Sequence, residues 1–157
     1  MQLFRLTRAR HAADLSGRGS KLHPGRWNPA GMPVIYASTS RPLALLEVMV
    51  HVRRSDFPVD LTWSVLEIPQ EWWETAADFD GRVPDDVSMS RRFGSVWHAA
   101  RAEPMLKVPS AIFPDRTSPS NCEWNIVLNA EHPEVRAQLR CVDVQPYALD
   151  PRLHRLG

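Results

Sequence analysis

Fourteen prolines against seven glycines in 157 residues limit this chain more than any other feature. Each proline fixes its own φ and removes a backbone donor, so a few long helices are a poor match for the sequence. Many short elements joined by stiff turns are expected instead. With 43% hydrophobic and 24% charged residues, the chain carries enough apolar material for one core, and no repeat or low-complexity tract divides it. A single domain over 1–157 follows, ending in a polar tail from about Leu149.

The apolar patterning supplies the elements. Gln2 to Leu6 reads as a short opening strand, and Ala12 to Pro33, which holds most of the glycines, as a long loop. Such a loop inside a small domain is usually functional or disordered. Val34 to Ala37 is a short buried strand. Ser38, Thr39 and Ser40 supply capping hydroxyls for a helix that begins near Pro42 and reads as fully buried to His51. Leu61 to Ile68 alternates like a half-buried strand. Ser88 or Ser90 caps a helix running to Arg101, with Phe93, Val96, Trp97 and Ala100 on one side. The runs LKVPSAIF, EWNIVLN and LRCVDV read as strands. The fold class is α+β, with a small, bent, mixed or antiparallel sheet and flanking helices.

Charge and composition exclude several roles. Nineteen basic residues stand against 18 acidic ones, for a net charge of +1 and a pI of about 7.9. That balance argues against a nucleic-acid surface. No apolar run approaches the roughly 20 residues of a membrane span, and MQLFRLTRAR lacks the apolar centre of a signal peptide. A soluble, cytoplasmic protein is expected. Cys122 and Cys141 have no CxxC spacing and read as two reduced thiols. His51, His98 and His132 are not spaced as metal ligands, so no metal is expected. Trp72 and Trp73 read as cover for an edge of the core or a partner surface.

Glu47 is the exception to this ordinary pattern. It lies on one apolar stripe with Leu43, Leu46 and Val50, beside a second stripe of Leu45, Val48, Met49 and Val52. An ionised carboxylate there costs several kcal/mol unless it is paired or opens onto a polar cleft, which marks it as a site residue. Upstream, Arg26 beside Gly25 suits an anion, since a guanidinium forks onto phosphate oxygens and glycine permits close approach. Tyr36 offers a flat face for a ring and a hydroxyl for a hydrogen bond. Glu47 can hold a sugar hydroxyl and steady positive charge on an adjoining sugar carbon. Phosphate, aromatic base and ribose together describe a dinucleotide. The plainer alternatives are a surface Arg26 stacked on Trp27, a core Tyr36 and an Arg5 paired with a nearby acid.

Phe4-Arg5, then GRWN at 25–28, VIYAS at 34–38, LLEVMVH at 45–51, VPSA at 108–111 and WNIVLNAEHP at 124–133 resemble the RES domain, a family named for its Arg, Glu and Ser. The resemblance runs from Leu3 to about Asp143. It implies an ADP-ribosyltransferase-like fold and the toxin of a RES–Xre toxin-antitoxin pair, with NAD as substrate and an Xre-type helix-turn-helix antitoxin as partner. By the same resemblance Arg26, Tyr36 and Glu47 are catalytic, Arg5 is a second arginine near the nucleotide, and Ser110 is the family serine. The connection FPDRTSPSNCE is longer than the family's usual one, which leaves Ser120 as the alternative serine. The implied reaction breaks the bond between nicotinamide and ribose, passing ADP-ribose to water, phosphate or a protein side chain. A non-catalytic nucleotide-binding module is the alternative reading.

Overall fold

A computed structural model describes residues 1–51, 58–79, 83–112, 123–148 and 150. Seven strands, β1 (Gln2–Arg8), β2 (Val34–Ser38), β3 (Leu61–Glu67), β4 (Ala77–Asp78), β5 (Met105–Pro109), β6 (Trp124–Asn129) and β7 (Arg140–Pro146), form one mixed sheet. Its spatial order is β4-β5-β6-β2-β1-β3-β7, antiparallel throughout except between β4 and β5. Among the described residues five α-helices flank it: α1 (Arg18–Leu22), α2 (Arg41–Met49), α3 (Gln70–Thr75), α4 (Val87–Ala100) and α5 (Pro133–Gln138). The α+β class is therefore as the sequence implies.

The sheet is nearly split at its centre. β1 and β3 pair from Gln2 opposite Glu67 to Arg8 opposite Leu61, but β1 and β2 meet in register only where Phe4 faces Ser38. Two half-sheets thus diverge from one contact, and α2 lies across the junction on β1, β2 and β6. Ser40 caps α2 by accepting from Leu43 N at 3.2 Å, and Pro42 occupies the first turn, where no donor is needed. Ser38 and Thr39 serve elsewhere: they bond Asn125 and the backbone at Trp124.

Packing corrects several expectations. The stretch from Ala12 to Pro33 is not all loop, because α1 forms within it; Ser20 Oγ ties that helix to β2 by donating to Val34 O and accepting from Val34 N. β3 is buried on both faces instead of one. Leu61 and Trp63 pack with Leu6 and Ala44 under α2, while Leu66 joins Leu3, Ile35 and Ile126 on the opposite side and Ser64 donates to Ala12 O at 2.7 Å. α2 buries only Leu43 and Ala44; its remaining residues are partly or fully accessible. Asp86, not Ser88 or Ser90, caps α4.

The inward face of α4 carries Ser90, Gly94, Trp97 and His98, whereas Phe93 and Val96 are exposed. Gly94 decides this, since a Cβ there would lie 1.9 Å from the carbonyl oxygen of Trp27. His98 and His132 accordingly have structural jobs, their rings bonding the carbonyls of Pro33 and Arg101. Trp72 is a core residue whose Nε1 donates to Glu134, and Trp73 lies partly buried beneath the Lys107 ammonium. Cys141 is a free thiol, while Cys122, Leu149 and the last seven residues lie outside the described residues.

Candidate active site

The divergence of the half-sheets opens a cavity of about 1130 Å³. That is slightly above the roughly 300–1,000 Å³ typical of small-molecule sites, and suits an extended ligand. Arg5, Arg26, Tyr36 and Glu47 all line it, arriving from β1, the loop before β2, β2 and α2 respectively.

Glu47 is partly buried in the last turn of α2. The negative end of a helix dipole disfavours a carboxylate there by about 0.3–1 kcal/mol, so compensation must come from outside the helix. Two donors provide it. Ser110 Oγ donates to Glu47 Oε1 at 2.9 Å, and Asn125 Nδ2 donates to the same oxygen. The other oxygen, Oε2, has no hydrogen bond among the described residues. Ser110 is fully buried at the end of β5 and its hydroxyl also accepts from Ile112 N, so the serine touches the carboxylate from behind the cavity wall. Ser120 lies outside the described residues.

The loop that carries Arg26 rests on Asn28, a fully buried residue. Its Nδ2 donates to the carbonyls of Ser20, Pro29 and Met32, and its Oδ1 accepts from Gly25 N and from the Tyr36 hydroxyl. Tyr36 in turn accepts from Trp27 N at 3.1 Å. The hydroxyl is therefore committed to the loop, and Tyr36 meets the cavity with its ring. Burial pushes its phenol up to about 12, so it stays protonated at every physiological pH. Gly25 has a local reason as well: a Cβ there would stand 2.5 Å from the Tyr36 oxygen. Arg26 Nη1 donates to Pro84 O at 3.0 Å and Arg91 Nε to Gly25 O at 2.9 Å, bracing the loop against α4 and the segment before it.

Charge is concentrated here although the whole chain carries a net charge of only +1. Among the described residues, Arg8, Arg10 and Arg18 join Arg5 and Arg26 around the cavity, with Asp14 and Glu47 as the acids. Arg5 Nη1 donates to Asp14 O, and burial lowers its pKa against the opposing pull of Asp14; a guanidinium nevertheless remains charged in proteins. An anionic ligand with a flat ring fits these walls.

The sequence profile of the RES domain matches residues 2–150. The chain belongs to the RES domain family. It is 33% identical to the Prs ADP-ribosylating toxin of Sphingobium sp. (strain YBL2), an alignment covering 94% of this chain and 91% of that one. It is also 32% identical to Toxin Res of Photorhabdus laumondii, over 98% of this chain and 97% of the relative. The crystal structure of the M. tuberculosis MbcT-MbcA toxin-antitoxin complex shares its fold, with a TM-score of 0.63 at 21% identity over 98% of this chain and 86% of that one.

Within this RES domain, Arg5, Arg26, Tyr36 and Glu47 share one cavity and Ser110 touches it through Glu47. Sequence reasoning missed Asn28 and Asn125, and read Ser38 as a helix cap where the structure bonds it to Asn125. Asn28 and Asn125 follow the two tryptophans of GRWN and the WNIVLN strand, and each sets beside a large ring an amide that has four hydrogen bonds to satisfy, the one signal that was available. Among the described residues no group of three or more His, Cys, Asp or Glu is arranged to hold a metal ion.

Proposed function

We propose that this RES domain is the toxin of a toxin-antitoxin pair and cleaves NAD between nicotinamide and ribose. The names of its relatives support the toxin role and the use of NAD as an ADP-ribose source. The observation that carries the chemistry is Glu47, a carboxylate with one oxygen saturated by protein donors and the other open, in a cavity whose remaining walls supply arginines and a tyrosine ring.

Arg26 and Arg5 hold the pyrophosphate, and Tyr36 supports a ring. Glu47 Oε2 holds a hydroxyl of the nicotinamide-side ribose. As the C1′–N1 bond breaks, its electron pair passes to the pyridinium nitrogen, and nicotinamide leaves neutral without needing a general acid. The positive charge left on the ribose is steadied by Glu47, the carboxylate being worth more as that charge develops than in the ground state. An acceptor oxygen or nitrogen then forms the new bond at C1′ and loses its proton to solvent. Water, phosphate and a protein side chain all satisfy this scheme. The site acts on the cytoplasmic NAD pool, and an Xre-type antitoxin is the partner that would silence it.

Purified protein incubated with NAD is expected to release nicotinamide, and mass spectrometry of the co-product to identify the acceptor. Glu47→Gln keeps the shape and deletes the charge, so release should fall at least about 100-fold while the thermal midpoint holds. Saturable NAD binding without turnover in the wild-type protein would sink the enzymatic reading.

A further inference from the structure

We infer that Asn125 is a positioning residue for Glu47, held in turn by Ser38, and that this relay fixes the orientation in which the carboxylate meets the substrate. The inference rests on the reading of Glu47 as the residue that steadies the ribose.

β6 pairs with β2 so that Asn125 stands directly opposite Ser38, which places both side chains on one face of the sheet. Ser38 Oγ donates to Asn125 Oδ1 at 2.8 Å, and Asn125 Nδ2 donates to Glu47 Oε1. With a hydroxyl donor on one side and a carboxylate on the other, only one orientation of the amide satisfies both neighbours. Ser38 also sits at the single register contact between the half-sheets, opposite Phe4. The relay is thus anchored at the point from which the cavity opens. Because Asn125 and Ser110 both address Oε1, the carboxylate cannot rotate without surrendering two hydrogen bonds, and Oε2 is left as the open acceptor. A glutamate on an open cavity would otherwise sample several rotamers, each misplacing the charge by more than the roughly 0.5 Å that a catalytic group tolerates.

The test compares Asn125→Ala and Asn125→Asp. The first removes the donor; the second keeps shape and the acceptor for Ser38 but cannot donate to a carboxylate. Both should lower kcat for nicotinamide release about 10–100-fold, the usual cost of losing a residue that orients a reacting group, with KM for NAD within about threefold. On a Glu47→Gln background the same changes should cost no more than about twofold, since there is no longer a charge to place. Crystal structures should show one Glu47 rotamer in the wild-type protein and more than one in the variants. An Asn125→Asp protein with wild-type kcat, or an equal loss on the Glu47→Gln background, would overturn the assignment. If the wild-type protein releases no nicotinamide, the proposed reaction fails, and an unchanged Glu47 rotamer in the variant crystals would separately refute the positioning role.

Discussion

The Tyr36 hydroxyl donates to Asn28 Oδ1 at 2.8 Å while accepting from Trp27 N at 3.1 Å, so the residue that presents a ring to the cavity also fastens the loop carrying Arg26. Tyr36→Phe keeps the ring and removes both bonds, leaving Trp27 N without this acceptor. A loss of about 1–3 kcal/mol is expected, the cost of unsatisfied buried polar groups, together with a raised KM for NAD as the loop loosens. Chemical denaturation and an NAD titration measure the two effects.

The same phenol links stability to alkaline pH. Its folded pKa is raised to about 12 from the ordinary 10. Above pH 10 the unfolded chain loses a proton that the folded protein keeps, so the stabilisation is complete below pH 10 and is lost as pH rises toward 12. Denaturation midpoints between pH 9 and 12 should decline by an amount on the order of 2–3 kcal/mol, one pK unit being about 1.4 kcal/mol. In the Tyr36→Phe protein that portion of the decline should vanish.

Arg26 already gives Nη1 to Pro84 O, while Nε and Nη2 have no hydrogen bond among the described residues. A lysine offers one nitrogen where the guanidinium offers three spread over a planar fork, so holding that carbonyl with Nη1 while presenting Nε and Nη2 to a phosphate has no lysine equivalent. Arg26→Lys is therefore expected to weaken NAD binding by at least about tenfold, the worth of one charge-assisted hydrogen bond at about 1.5–3 kcal/mol. Isothermal titration of the catalytically impaired Glu47→Gln protein, with and without the change, measures it free of turnover.

Gly94→Ala should destabilise the protein although alanine is the better helix former by about 1 kcal/mol. The new methyl would meet the Trp27 carbonyl at 1.9 Å, a backbone atom that cannot swing aside. A net loss of about 1–3 kcal/mol is expected from overpacking, read as a lower urea midpoint.

His98 supplies the acid counterpart. Burial lowers its pKa below the ordinary 6.5, outweighing the hydrogen bond to Pro33 O. As pH falls through that ordinary value the unfolded chain gains a proton the folded one refuses, so stability present above pH 6.5 is lost below it. His98→Gln should flatten the dependence of the urea midpoint on pH between 7.5 and 5.

Much of the site was legible in the residues. Glu47 stood out because a carboxylate among aliphatic side chains needs a polar outlet, and the structure places it on the cavity wall although the helix around it is largely accessible. The net charge of +1 says nothing of where arginines converge, and among the described residues five of them line one cleft. β3 misled, because alternation reports which face is apolar and cannot report that Ser64 and Thr62 will be covered too.

Local interactions are what the sequence determined by itself: the capped start of α2 at Ser40 and Pro42, the short strands around Ile35 and Ile126, and the residue types that stand at Arg26, Tyr36 and Glu47. Each of these depends on neighbours within a few positions, where sterics and hydrogen bonding leave little choice. Tertiary structure alone decided that Asn125 and Ser110, 78 and 63 positions from Glu47, would close on a single carboxylate oxygen. That outcome follows from strand register, which a one-residue slip would reverse by turning Asn125 to the other face of the sheet.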